Sequence, residues 1–128
     1  MTQGWSKREI QASLRRALRL RLRQRERVAR ALARLRRLLP LPHPVAVVWA
    51  STDASLYGSC ERLGRGRRRR FRITLDPGQC ETIAEAVDTL LHEYAHAMSW
   101  HDVPSQGDHG DAWGLAYALC YRKFWRVR

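Results

Sequence analysis

His92-Glu93-Tyr94-Ala95-His96 is the stretch on which the reading of this chain turns. On a helix, H-E-x-x-H places two imidazoles one turn apart on one face, with a carboxylate beside them. That supplies two of the three protein ligands of a catalytic zinc site together with its general base. The helical wheel agrees. At about 100° per residue from Ile83, the residues Val87, Leu90, Leu91, Tyr94 and Met98 fall between about −20° and +80°, whereas His92 and His96 fall at about 180° and 220°. An apolar stripe packs one way and the two histidines point the other. Histidines of a core would lie inside the stripe, and histidines of a plain surface would need neither Glu93 nor a downstream partner.

The flanks define the helix. Pro77-Gly78 marks a turn before it, and Thr82 with Glu85 has the spacing of a capping box. Ala84, Ala86, Ala95 and Ala97 are strong helix formers. The expected span is about 80–100. His101-Asp102-Val103-Pro104 suggests its end, because the residue before a proline avoids the helical region.

A catalytic zinc takes a third protein ligand. The chain has no Glu after Glu93, which excludes a two-His-one-Glu site and leaves His101, Asp102, Asp108, His109 and Asp111. On a continued helix His101 would return to the apolar face. Asp102 stands where H-E-x-x-H-x-x-G-x-x-H/D puts its third ligand, but that motif turns on a glycine where this chain has Ser99. His109 is better placed. Pro104, Ser105, Gln106 and Gly107 form a reversing loop, and a new helical pattern follows with Trp113, Tyr117, Cys120 and Phe124. Gly110 permits a close backbone approach. Asp108 and Asp111 read as helix caps or as partners of a histidine ring nitrogen.

With these residues in view, the chain resembles the SprT-like domain of Spartan-type DNA-dependent metalloproteases. Val45-Ala-Val-Val-Trp-Ala-Ser51 resembles the family's first strand, Gly58-Ser59-Cys60 its second, and Arg72-Ile73-Thr74-Leu75 the strand before the zinc helix. Thr89 to Ala97 is similar to the zinc helix itself, and His109-Gly110-x-x-Trp113 is similar to the H-G-x-x-F/W segment. The likeness runs over about residues 45–117. It implies Zn2+ held by His92, His96 and His109, with Glu93 catalytic. It also implies cleavage of proteins bound or crosslinked to DNA, with DNA as activator. The chain departs from the pattern in its short loop between His96 and His109 and in lacking a Cys-x-x-Cys zinc ribbon afterwards.

The 128 residues and an ordinary hydrophobic share of 45% suit one domain with a modest core. The expected fold is α+β and zincin-like, a minimal metalloprotease. An N-terminal Arg-rich helix leads to a small three-stranded antiparallel sheet over 45–50, 56–61 and 69–75. The H-E-x-x-H zinc helix and a C-terminal helix over about 110–126 follow. Residues 1–39 form a basic amphipathic helical arm and residues 40–128 the SprT-like zinc metalloprotease domain. Cys60, Cys80 and Cys120 show no pairing pattern and fit reduced thiols. No apolar run reaches membrane-spanning length and no secretory segment is evident. The expected location is cytoplasmic or nucleoid-associated.

The charge of +12 is unevenly placed. Residues 1–39 hold thirteen Lys and Arg against Glu9 and Glu26, while residues 40–128 are nearly balanced. Ser6 with Glu9 opens a capping box, and Ile10, Leu14, Leu18, Leu22, Val28, Leu32, Leu35 and Leu39 recur at helical spacing up to Pro40 and Pro42. One stripe can pack on the domain, with Arg15, Arg16, Arg19, Arg23, Arg27, Arg30, Arg34 and Arg37 left outside. A second cluster, Arg65, Arg67, Arg68, Arg69 and Arg70, reads as a hairpin tip. Such runs are usually solvated surface, yet arginine at this density neutralises phosphate. Nucleic acid, with DNA foremost, is therefore the expected partner beside a protein or peptide substrate. Trp5, Trp100 and Trp125 are candidates for base stacking, although a tryptophan at a helix end more often edges a core.

Two other readings stand beside this one. The chain is alternatively a non-enzymatic nucleic-acid-binding module with a structural zinc site, which would be closed and four-coordinate. A bacterial-type metal ribonuclease with H-x-x-x-H-x-x-x-x-x-H fits less well, because Asp102 stands at the third position and Glu93 has no counterpart there.

Overall fold

The structure, a computed structural model, describes residues 4–52 and 56–125. Helix α1 runs unbroken over Lys7–Leu38, about 48 Å at 1.5 Å per residue. The Ser6 hydroxyl accepts from the Glu9 N–H at 3.1 Å, so the expected cap forms. Only the second half of α1 is covered. Gln24, Val28, Ala31 and Leu35 are buried, whereas Ile10, Leu14 and Leu18 of the same amphipathic helix are 46%, 64% and 58% exposed. The helix runs out beyond the domain that its apolar stripe packs on.

Gln24 fixes that packing. Its side-chain amide nitrogen lies 2.7 Å from the Cys80 carbonyl oxygen and 3.0 Å from that of Thr82, and donates to them. Replacing Gln24 with Leu keeps the volume and removes both donors from largely buried carbonyls. We expect a loss of about 2 kcal/mol in chemical denaturation; a change below about 0.5 kcal/mol would show that the clamp contributes nothing net.

The sheet comprises β1 (Val45–Trp49), β2 (Gly58–Leu63) and β3 (Arg70–Leu75) in the order β1-β3-β2. The expectation of an antiparallel sheet is corrected. β2 pairs antiparallel with β3, from Gly58 opposite Leu75 to Leu63 opposite Arg70. β1 instead lies parallel to β3, from Val45 opposite Phe71 to Trp49 opposite Leu75. Period-two alternation reports which face is buried and not strand direction. Phe71, Ile73 and Leu75 are all buried; β3 lies at the centre, and β1 pairs with its side opposite β2. At Gly58 a Cβ would stand 2.7 Å from the Thr74 carbonyl oxygen and 2.8 Å from Thr89 Cγ2. Glycine lets β2 close onto its neighbours there.

Helix α2 (Ile83–Met98) has the Thr82–Glu85 cap. It presses Leu90, Leu91 and Tyr94 into the core that also holds Val28 and Leu35 of α1 and Ile73 of β3. The Tyr94 hydroxyl donates to the Leu39 carbonyl oxygen at 2.5 Å, tying the end of α1 to this helix. A 3-10 turn (Trp100–Asp102) and the short α3 (Val103–Gln106) lead to α4 (Asp111–Phe124). Residue 126 of the expected C-terminal helix lies outside the described residues. The proline rule needs correcting too. Val103 is helical, with φ −56° and ψ −45°, although Pro104 follows. Pro104 falls in the first turn of α3, where no intrahelical N–H is required.

Candidate metal centre

The apolar face of α2 is fixed by the core, so its opposite face is fixed as well, and His92 and His96 emerge on it half-buried. Their Nε2 atoms stand 3.2 Å apart. The chain then turns through α3 and brings His109 back, with its Nε2 3.4 Å from that of His92. The ligand atoms of these three residues all lie within 4.8 Å of one another. A neutral imidazole nitrogen carries one proton or one lone pair, enough for one good hydrogen bond, yet His92 Nε2 faces two partners. At a Zn–N bond of 2.0–2.1 Å, two nitrogens of a tetrahedral site stand about 3.3 Å apart. The donor set and its spacing fit a metal ion.

The electrostatics suit the same role. Burial, reinforced by His109, pushes the His92 pKa below its ordinary value. Burial, reinforced by His92 and His109, takes His96 down to about 4. These two rings are therefore neutral at pH 7, with lone pairs free for a cation. Burial pushes the Glu93 carboxyl up to about 7. Its side chain is 7% exposed, and Oε1 lies 3.8 Å from His92 Nε2.

Trp113 supports all three imidazoles, a role the sequence pattern alone assigned to a core helix stripe. Its ring centroid lies 4.8 Å from that of His92, 5.5 Å from His96 and 4.7 Å from His109. Its indole N–H donates to the His92 carbonyl oxygen at 3.3 Å. The approach of His109 depends on Gly110, where a Cβ would stand 2.3 Å from the Gln106 carbonyl oxygen. Gln106 Oε1 in turn accepts from the Ala112 N–H at 2.8 Å, which satisfies the start of α4. Gly110 occupies the cap position, so the expectation that Asp108 or Asp111 caps this helix is corrected. One further pair went unread. Tyr117 donates its hydroxyl to Asp88 Oδ1 at 2.5 Å and sets its ring 5.7 Å from His92. Asp88 precedes His92 by four residues, which was the available signal.

Among the described residues, the one such group of three contains neither Asp102 nor His101. The histidines open on a cleft of about 930 Å³, walled by Gly58, Ser59 and Cys60 of β2, by Glu93 and by Trp100 and His101. Among the described residues β2 is an edge strand of the sheet, and Gly58, Ser59 and Cys60 set it along the cleft. Burial raises the Cys60 thiol to about 12, with Glu93 adding to it. Among the described residues the group of three possible metal donors does not include it.

The structure puts the arginines where solvent reaches them. Arg15, Arg16, Arg19, Arg23, Arg27, Arg30, Arg34 and Arg37 of α1 are all exposed. Arg30 pairs with Glu26 at 2.6 Å, and Arg34 lies over the Phe124 ring. Arg65, Arg67, Arg68 and Arg70 are exposed and Arg69 is half-buried, at the turn between β2 and β3 as expected. No helix among the described residues is long and apolar enough to cross a membrane.

An α+β domain whose second helix and following loop bring three histidines to one point could hold a metal ion there, as suits a domain of the metalloprotease type. The chain belongs to the SprT-like family, whose model matches residues 5–124. It is also similar to human germ cell nuclear acidic protein, 32% identical over 76 residues. That stretch covers 57% of this chain and 11% of the relative, so the match spans about a tenth of that protein. No solved structure matches the chain.

Proposed function

We infer that this protein is a zinc-dependent endopeptidase of the zincin type, associated with nucleic acid and cleaving proteins bound or crosslinked to DNA. The observation that carries the reading is the convergence of three imidazole nitrogens beside a buried carboxyl at the wall of an open cleft. His92, His96 and His109 would hold the ion. When bound, zinc supplies a fixed positive charge and an open position, which polarise a carbonyl and make water a nucleophile near neutral pH. Glu93 takes a proton from the attacking water as the new C–O bond forms. It then hands that proton to the amine nitrogen as the C–N bond breaks. The free edge of β2 suits a substrate backbone added as a further strand beside the cleft.

The alternative of a structural zinc has less behind it. A structural site is closed by a fourth protein donor, and the group found among the described residues has three. Nor does a structural site need a buried carboxyl whose pKa is raised. We read residues 1–39 as the recruiting part and 40–128 as the cleaving part of one fold. The exposed arginines of α1 and of the hairpin supply the attraction to phosphate. The human relative is by name a nuclear protein, in keeping with such a partner. We place this protein in the cytoplasm or on the nucleoid.

Incubating zinc-loaded protein with a basic DNA-binding substrate tests the reading. Cleavage should rise at least tenfold with added DNA and fall steeply between about 50 and 200 mM salt, as counterion release requires. Cleavage that is indifferent to DNA and salt would remove nucleic acid from the function, and absence of any cleavage would remove the protease.

A further inference from the structure

Helix α4 carries aromatic rings every fourth residue, at Trp113, Tyr117, Tyr121 and Trp125 where the helix ends. A row of this spacing advances about 40° around a helix at each step. It therefore starts against the imidazoles and winds outward. Exposure follows the geometry. Trp113 and Tyr117 are half-buried, while Tyr121 is 53% and Trp125 43% exposed. Ring centroids stand 5.2 Å apart from Trp113 to Tyr117 and 6.3 Å apart from Tyr121 to Trp125.

Beside this row run Gly114, Ala118 and Arg122. The first two are too small to cover the rings, which leaves a groove of about 530 Å³ along the ladder with Arg122 in its wall. A Cβ on Gly114 would meet nothing within 4 Å. Packing does not demand glycine there, although glycine weakens a helix interior. At the far end Phe124 stacks edge-on against Trp125 at 4.7 Å and lies under the Arg34 guanidinium at 5.6 Å. The ladder thus joins the metal centre at one end to the arginine face of α1 at the other.

We propose that this ladder is a stacking track for a single strand of nucleic acid, with bases on Tyr121 and Trp125 and phosphates directed to Arg122 and the arginines of α1. The inference rests on the nucleic-acid part of the proposed function and gives it a strandedness. Bases in a duplex are already stacked and offer no free faces, whereas unpaired bases stack on aromatic rings with little regard to sequence. A peptide is the poorer occupant, because α4 offers no strand edge, and Arg122, Lys123 and Arg34 present positive charge. The inner end of this track, at Trp113, packs against the imidazoles, so a protein carried by a bound strand is held close to the metal centre.

Fluorescence anisotropy tests this with the whole zinc-loaded chain carrying Glu93→Gln, which prevents cleavage. The probes are labelled oligothymidine and oligouridine of about 15 nucleotides and a hairpin duplex. Replacing Tyr121 and Trp125 together with Ala should weaken single-strand binding roughly 30-fold or more, with an unchanged salt slope and duplex binding within twofold. Tyr121→Phe should retain affinity, because it keeps the ring. Arg122→Gln should lower the single-strand salt slope by about 0.7. Preference for one of the two sugars would say which strand is used, and either supports the track. Unchanged single-strand binding in the double variant, or an equal loss on the duplex, would overturn it and leave the protease reading intact. The same holds if the double variant spares nucleic acid and raises KM for a protein substrate in the cleavable background. If the parent chain binds neither strand nor duplex, the nucleic-acid part of the functional reading fails as well.

Discussion

Glu93→Gln is expected to keep the metal and lose at least a thousandfold in peptide cleavage. Gln has nearly the same shape, so the helix and its two flanking histidines are undisturbed, but it cannot accept a proton from water or return one to the amine. General acid–base groups contribute about 10²–10⁴-fold, and here one residue carries two proton transfers. Metal content by elemental analysis and turnover of a fluorogenic peptide together check it; cleavage near the parent rate would end the assigned role. The same substitution carries a second, opposite prediction for the metal-free protein. Burial holds the Glu93 carboxyl up to about 7, against an ordinary value of 4.5. Its cost to stability therefore appears as pH rises above 4.5 and levels off above 7. Metal-free Glu93→Gln should be more stable than its parent by about 2 kcal/mol at pH 8, and close to it at pH 4.5. Burying a carboxyl beside the cleft costs stability in exchange for function.

His109→Ala should abolish stoichiometric metal binding while leaving the fold in place. His109 is exposed and contributes nothing to the core, so the metal-free variant should unfold within about 0.5 kcal/mol of the parent. Its Nε2 stands 3.4 Å from that of His92, and no other group of three donors appears among the described residues. Removing a residue that merely orients a metal ligand typically weakens affinity 10–100-fold; losing the ligand itself should exceed 100-fold. Asp102→Ala, its rival in the sequence, should leave affinity unchanged. Competition with a chromophoric chelator reads the two side by side. A loss in Asp102→Ala, or none in His109→Ala, would mean that the trio is misassigned.

The residues of the candidate site were more legible in the sequence than the contacts that support them. H-E-x-x-H on an amphipathic pattern needs only local helix geometry, and the wheel that buries Leu90 and Tyr94 necessarily turns His92 and His96 outward. His109 was legible because a loop and a fresh helical period bracket it. Trp113 was legible as an aromatic at core spacing, but not as the ring beneath three imidazoles, because that contact joins residues 92 and 113. The pairing of Tyr117 with Asp88 escaped for the same reason, whereas Gln106, six residues from the Ala112 N–H that it accepts from, escaped because the turn between them has no regular spacing. Strand direction in the sheet also escaped, since alternation is identical for parallel and antiparallel partners.

The amino-acid order by itself pointed to the main helices and strands, the uneven charge, and three histidines and a carboxyl as candidates for one site, because each of these follows from periodicity, capping or residue type within a few positions. The tertiary structure alone decided that β3 lies between β1 and β2, that Gln24 clamps α1 to the start of α2, and that an aromatic row climbs from the imidazoles towards the arginines. Those facts depend on which distant surfaces exclude water together, and no local pattern encodes that choice.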